Sequence, residues 1–297
     1  MRLLNFGSLN IDYVYRVDSF VRPGETKTAR SLSVFPGGKG LNQSLALAKA
    51  GIEVWHAGKT GADGDFLLAE LKRGGVNVSR VGRSAEPTGH AIIQVDDSGG
   101  NCIILYGGAN RDIDPDYVDQ ALSGFGRGDM LVLQNEISSI PKILSAASER
   151  GMRIAMNPAP FHAEVLDYPL ELLDFLILNE IEAEGLSGEG SPERAIQSLR
   201  ARYPRAGVVI TLGEQGALYA DASGLLSHPA YRVRAVDTTA AGDTFSGYFL
   251  AVINEGGSAA EALELASRAA AICVTRPGAA VSVPSRKEVD AFLSQAE

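Results

Sequence analysis

Short apolar runs and helix-spaced apolar stripes follow one another along this chain, and the alternation is regular except near its start. Leu3–Gly7 is an apolar run of strand length. Tyr13–Val17 and Thr28–Val34 instead switch between apolar and polar residues, the pattern of half-exposed strands. Leu45–Ala50 has helical spacing, Val54–Ala57 reads as a strand and Phe66–Arg73 as a helix. His90–Val95 and Cys102–Tyr106 read as two strands joined by the turn Asp96-Asp97-Ser98-Gly99-Gly100-Asn101. Beyond Asn110, strands at Met130–Leu133, Arg153–Met156, Phe175–Leu178 and Val208–Thr211 alternate with helices near Tyr117–Leu122, Pro141–Arg150, Asn179–Glu184 and Pro192–Tyr203. The remainder reads as helix at Ala241–Asn254, Ala259–Val274 and Arg286–Ser294.

Strands that alternate with helices imply an α/β fold: three layers, with helices on both faces of a mostly parallel, doubly wound sheet. The early strands lack crossover helices, so a separate small sheet is expected from roughly residues 11–35 and 89–108, inserted in a single domain spanning 1–297. Open sheets of this class bind ligands beyond the C-terminal ends of their strands.

Composition narrows the partners. With 297 residues, 45% hydrophobic and 21% charged, the chain has the make-up of a globular protein with a sizeable core. A net charge of −9 argues against a broad basic surface for nucleic acid. No apolar run reaches the roughly 18 residues that span a bilayer, so no membrane partner is expected. The first apolar stretch, interrupted by Asn5, reads as a strand rather than a signal peptide. Cys102 and Cys273 are too few and too far apart for a disulfide framework, and they read as reduced thiols of a cytoplasmic protein. His56, His90, His162 and His228 are scattered without metal-ligand spacing. Gly58-Lys59-Thr60 looks like the end of a phosphate-binding P-loop, but Glu53 stands where its first glycine belongs. No G-x-G-x-x-G follows the first strand.

Candidate chemistry concentrates in two segments. Asp237-Thr238-Thr239-Ala240-Ala241-Gly242-Asp243-Thr244-Phe245 holds two carboxylates joined by small residues and opens an apolar helix. A helix start offers free N–H groups and positive dipole, and a glycine there lets a ligand approach the backbone. Asp243 is then either a base beside an anion hole formed by the N–H groups of Ala240, Ala241 and Gly242, or a helix-capping residue. Phe35-Pro36-Gly37-Gly38-Lys39-Gly40-Leu41-Asn42-Gln43 is a bare backbone stretch leading into another apolar helix, and as a structural element it is a glycine-rich loop.

Together these segments resemble the two signatures of the ribokinase (PfkB) family of carbohydrate kinases. Asn179-Glu180-Ile181-Glu182 resembles the family's Asn-x-x-Glu motif, and Thr211-Leu212-Gly213-Glu214-Gln215-Gly216 its nucleotide loop. The motifs stand in family order, and the resemblance runs from about Leu3 to Phe292. It implies a ribokinase-like core with a β-sheet lid, and ATP-dependent transfer of a phosphoryl group to a sugar with Asp243 as base. Asn10, Asp12, Gly38, Lys39, Gly40, Asn42 and Glu136 would bind the sugar, with the backbone of Lys39 weighing more than its ammonium. Asn179, Glu182, Thr211, Gly213, Gly216, Gly242 and Ser267 would bind ATP, and Glu182 would hold Mg²⁺ through water. Asn179 and Glu182 equally suit a capping box. A monovalent cation, K⁺, would be enclosed by Asp237, Thr239, Cys273, Arg276, Gly278 and Ser282; Pro277 in that loop removes only an N–H. The resemblance leans to D-ribose as acceptor, with fructose, deoxyribose, ketodeoxygluconate or a nucleoside as alternatives, and a sugar-binding sensor without catalysis as another class. Ala91, Ile93, Ile104 and Tyr106 of the lid would tune the choice, and a homodimer through the lids would cover their apolar edges.

Overall fold

The computed structural model describes residues 2–292. Its strands are β1 Leu3–Phe6, β2 Asn10–Arg16, β3 Ser31–Gly37, β4 Val54–Thr60, β5 Asn77–Arg83, β6 Gly89–Val95, β7 Asn101–Tyr106, β8 Met130–Gln134, β9 Arg153–Asn157, β10 Phe175–Asn179, β11 Gly207–Thr211, β12 Ala217–Asp221 and β13 Gly224–His228. The helices are α1 Lys39–Lys49, α2 Asp65–Arg73, α3 Pro115–Leu122, α4 Ile140–Glu149, α5 Glu180–Ser187, α6 Pro192–Arg202, α7 Ala241–Asn254, α8 Ala259–Val274 and α9 Arg286–Asp290.

Nine strands form one sheet in the order β13-β12-β11-β10-β9-β8-β1-β4-β5, parallel from β11 to β5 and antiparallel at β12 and β13. Parallel strands are buried on both faces, and side chains of one strand feed two cores. Leu3 and Val132 point into a core shared with α1, α7 and α8, while Leu4, Leu131 and Leu133 point into one shared with α3 to α6. β1 lies at the switch point: the chain winds from it through β4 to β5 on one side, and from β8 to β11 on the other. A cleft therefore opens beyond the C-terminal ends of β1 and β8, where Gly7, Ser8 and Glu136 stand.

The early strands form a second, four-stranded sheet in the order β3-β2-β6-β7, as the missing crossovers implied. Asp96 closes the turn between β6 and β7 by accepting hydrogen bonds from the N–H groups of Ser98 and Gly100, both 2.9 Å.

Several expectations need correction. α1 begins at Lys39, not Leu45, because Gly38 adopts φ 94° as its N-cap and turns the glycine-rich loop straight into helix. β5, β12 and β13 were not expected: the first is half-polar, the second returns antiparallel to β11 directly after the Thr211–Gly216 loop, and the third is a short exposed strand at the sheet edge. α9 ends at Asp290; the part of the expected helix beyond residue 292 lies outside the described residues.

Candidate active site

Gly40 is the hinge of the cleft's floor. A Cβ there would come within 2.3 Å of the Ser8 backbone nitrogen, so only glycine lets α1 press against the turn after β1. This contact delivers Asn42 and Gln43, on the first turns of α1, to the start of α7. There Asp243 is buried, 6% exposed. Its Oδ2 accepts from Asn42 Nδ2 and its Oδ1 from Gln43 Nε2, each at 3.0 Å. Asp243 is thus not a helix cap: α7 has no side-chain cap, and its N-cap Ala240 adopts left-handed φ 60°. The Ala241 N–H donates to the Thr238 carbonyl at 3.2 Å, so of the three N–H groups expected for the anion hole this one is already engaged. A Cβ at Gly242 would meet only open space, leaving the backbone bare toward the cleft.

The opposite wall comes from the small sheet and the loop after β8. Ser8 Oγ donates to Glu136 Oε2, which also accepts the Lys39 N–H at 3.0 Å. Burial raises the Glu136 pKa, opposed by the Lys39 charge. The Lys39 ammonium is not idle, as its backbone alone would have it: burial pushes its pKa down, but Asp243, Glu136 and Glu182 outweigh this and hold it raised. It is a half-buried cation whose charge is felt by three acids. Asp12, on β2, accepts no hydrogen bond from any described residue, and burial followed by repulsion from Glu136 pushes its carboxyl up to about 7. Gly37 makes room for it, since a Cβ there would lie 2.0 Å from Asp12 Oδ2. Asn10 Oδ1 accepts from Asn110 Nδ2 at 2.7 Å, which anchors the start of β2.

Register decides which small-sheet residues share the face of Asp12. Asp12 pairs with Phe35 and Ala91, and Ala91 with Leu105; in the next row Ile93 pairs with Ile103. Ala91 and Ile93 are therefore on the Asp12 face as expected, but Ile104 and Tyr106 are not. They lie on the other face, where Tyr106 packs on His90 with ring centroids 5.1 Å apart. The residues of β7 beside Asp12 are Ile103 and Leu105.

At the C-terminal end of β10, Asn179 and Glu182 form the capping box of α5. Asn179 Oδ1 accepts the Glu182 N–H at 2.9 Å, and Glu182 Oε2 accepts the Asn179 N–H at 2.9 Å. Glu182 Oε1 takes Asn179 Nδ2 at 3.0 Å, and burial raises the carboxyl's pKa. Thr211 Oγ1 donates to the Leu178 carbonyl at 3.2 Å. Gly213 (φ 55°) faces open space, whereas Gly216 has a packing reason of its own: a Cβ there would lie 2.0 Å from the His228 carbonyl oxygen. Ser267 is buried within α8.

Asp237, Thr239, Cys273, Gly278 and Ser282 come together in one loop cluster. Asp237 Oδ1 accepts the Thr239 N–H and Oδ2 the Gly278 N–H, both at 2.9 Å. Burial pushes the Asp237 carboxyl up, but these bonds and the Thr239 side chain win and set it below the usual carboxylate range. Ser282 Oγ donates to the Ala279 carbonyl at 2.7 Å and lies 3.0 Å from Cys273 Sγ. The Cys273 carbonyl accepts the Arg276 N–H at 3.1 Å, while the Arg276 side chain turns outward to Glu288 at 2.7 Å. Both cysteines are free thiols, Cys102 exposed and Cys273 buried.

The sequence reading singled out Asp243, Asn42 and Glu136 but not Gln43, Gln134, Asn5 or Asn157. Gln134 Nε2 donates to Gln43 Oε1 at 2.7 Å and to Asn5 Oδ1 at 2.9 Å, and Gln43 lies 3.4 Å from Asn157. Asn5 and Gln134 carried a usable signal: an amide inside an otherwise apolar strand must find buried partners.

A wound parallel sheet with a small mixed sheet over its switch point, and a buried carboxylate at a helix start facing a glycine-rich loop, defines an ATP-dependent sugar kinase. Residues 2–286 match the pfkB family carbohydrate kinases, and the chain belongs to that family. It is 36% identical to a ribokinase of Staphylococcus aureus, over 97% of this chain and 98% of that one. The ribokinase structure from Thermotoga maritima superposes with a TM-score of 0.88 at 37% identity, covering 98% of each chain. That of Arabidopsis thaliana ribokinase, complexed with ribose and ATP, gives a TM-score of 0.85 at 30% identity over 97% of each.

Proposed function

We propose that this chain transfers the γ-phosphoryl group of ATP to the primary hydroxyl of D-ribose, giving D-ribose 5-phosphate and ADP, with Asp243 as base. The observation that carries the reading is the grip on Asp243: one amide donor on each oxygen holds a buried carboxylate in a single orientation at the cleft. The hydroxyl proton passes to Asp243 as the oxygen–phosphorus bond forms and the bond to the ADP oxygen breaks. Asp12, without a donor of its own, accepts from the ring hydroxyls. Asn42 Oδ1, a buried acceptor with no partner among the described residues, takes another. Lys39 and the bare backbone at Gly242 stabilise charge on the phosphoryl oxygens. Gly213 gives the nucleotide room near Thr211 and Ser267.

Mg²⁺, when bound, neutralises the triphosphate charge; Glu182, both of whose oxygens serve the capping box, would reach it only through water. Asp237, Thr239, Gly278 and Ser282, with the Cys273 carbonyl at the end of α8, carry the hard oxygens that suit K⁺, and the bonds from Thr239 and Gly278 tie the two loops together. The small sheet acts as a lid that excludes water. Its exposed Leu32, Val34 and Ile104, on the face away from Asp12, support a homodimer through the lids. Among the described residues no helix is long and apolar enough to cross a membrane.

The test is ADP release with MgATP and a panel of sugars and nucleosides, with and without K⁺. Turnover fastest on ribose is expected. A faster acceptor would move the substrate, and ribose binding without turnover would replace the kinase by a sensor.

A further inference from the structure

Two groups that can only accept hydrogen bonds stand at the ends of one buried chain of amides. At one end is the Gly40 carbonyl, at the other the Asp243 carboxylate. Asn5 must turn its Nδ2 to Gly40, at 2.7 Å, and so presents Oδ1 inward. Gln43 must turn its Nε2 to Asp243, at 3.0 Å, and so presents Oε1 inward. Gln134 lies between the two oxygens and donates to both, 2.9 Å to Asn5 and 2.7 Å to Gln43. Position 134 must therefore carry one group with two hydrogens. The other end of that amide, Oε1, is buried and has no partner among the described residues. A buried acceptor left over is a cost that a side chain chosen for packing alone would avoid.

We infer that Gln134 is a positioning residue: through Gln43 it fixes the donor that holds Asp243 toward its substrate, and through Asn5 it ties that orientation to the Gly40 backbone of the sugar-side loop. The base and the loop are set by one hub. This rests on the proposed role of Asp243.

The experiment measures kcat and KM separately with MgATP and ribose. Gln134→Met, similar in length but without donors, is expected to lower kcat at least tenfold and to leave KM for ribose within threefold. Gln43→Met should reproduce that split, and the double variant should add little to either, as for residues acting in one network. Ser44→Ala touches Asn5 beyond the point where Gly40 sets its polarity, and should leave kcat within twofold. A folded Gln134→Met with kcat within twofold of the parent overturns the inference; so does a loss confined to KM. If Gln134→Met does not fold, a parent-like kcat in Gln43→Met overturns it alone. Asp243→Asn separates the two readings: full activity there would sink the base itself, whereas a dead Asp243→Asn beside a parent-like Gln134→Met would sink only the relay.

Discussion

Asp243 and Asp12 face the same cleft and are built in opposite ways. Asp243 stands on a rigid helix, with both oxygens engaged by side-chain amides brought from α1. Asp12 stands on a strand of the small sheet, desolvated, facing Glu136, and without any donor among the described residues. The first is finished before substrate arrives; the second is completed by it. The difference fits the two tasks proposed for them. A base needs a fixed direction, which the protein must supply in advance, because misplacement costs rate. A sugar-binding carboxylate needs empty acceptor sites, because hydroxyls can repay its desolvation only if nothing else has done so.

The largest break in this contrast is expected from Asp243→Asn. It keeps the size of the side chain and removes the proton acceptor, so kcat should fall by roughly 10² to 10⁴. Ribose affinity should change only a few-fold; ADP release and calorimetry measure the two. Asp12→Asn should do the reverse. Loss of a charged acceptor to hydroxyls is worth about 1.5–3 kcal/mol, so ribose Kd should rise about ten- to a hundredfold. pH then separates the two ends. The Asp12 carboxyl titrates at about 7 in the folded chain, against 3.8 unfolded. Ribose affinity should weaken as pH falls below about 7, and Asp12→Asn should abolish that dependence. Between the two values the folded chain holds the proton more tightly than the unfolded one, so this group's contribution to stability declines as pH rises from 3.8 to about 7. Asp12→Asn should therefore melt higher than the parent at pH 8 and differ least at pH 4. Equal melting temperatures at pH 8 would mean that Asp12 is not held at a cost.

Asp237, six residues before Asp243 in sequence, sharpens the comparison from outside the cleft. Its oxygens are engaged like those of Asp243, but by backbone N–H groups: Thr239 of its own loop and Gly278 of the loop after α8. Such bonds fold a loop and leave no donor or direction for chemistry. Asp237→Ala should thus reduce kcat only about three- to tenfold, comparable to one ordinary hydrogen bond, and should remove most of any stimulation by K⁺. Stimulation that survives Asp237→Ala would separate the loop from the cation.

How much of this was legible follows from what each feature depends on. Glycine-rich segments before apolar helices marked Gly38, Asn42 and Asp243, because a bare backbone at a helix start is a local pattern. The amides that hold Asp243 were not legible as a set: Asn5, Gln43 and Gln134 lie on three elements, and only the fold makes them neighbours. The edge strand β13 escaped notice because Gly224–His228 is short and exposed, without the buried face that gives a strand its alternation. Glu182 shows the converse: its motif was legible, and both its capping and its buried, cleft-side character are real.

The smallest expected effect tests the lid end, and it turns on parity. Alternation along Asn101–Tyr106 says that neighbouring residues face opposite ways but not which set faces Asp12, and the sequence reading took Ile104 and Tyr106. Pairing of Ala91 with Leu105, and of Asp12 with Ala91, reverses that choice. Leu105 then shares the sugar's face, while Tyr106 stacks with His90 behind the sheet, and His90 in turn meets Tyr13 edge-on at 6.0 Å. Trimming Leu105 removes apolar cover from a bound sugar; trimming Tyr106 removes a ring contact worth about 0.5–1.5 kcal/mol to the sheet itself. Leu105→Ala should raise KM for ribose about three- to tenfold, given roughly 0.8 kcal/mol per buried methylene, with little change in melting temperature. Tyr106→Ala should lower the melting temperature and leave KM within about twofold. The opposite assignment of the two effects would mean that the lid meets its sugar with the face that carries Tyr106, not with the one that Asp12 shares with Ala91.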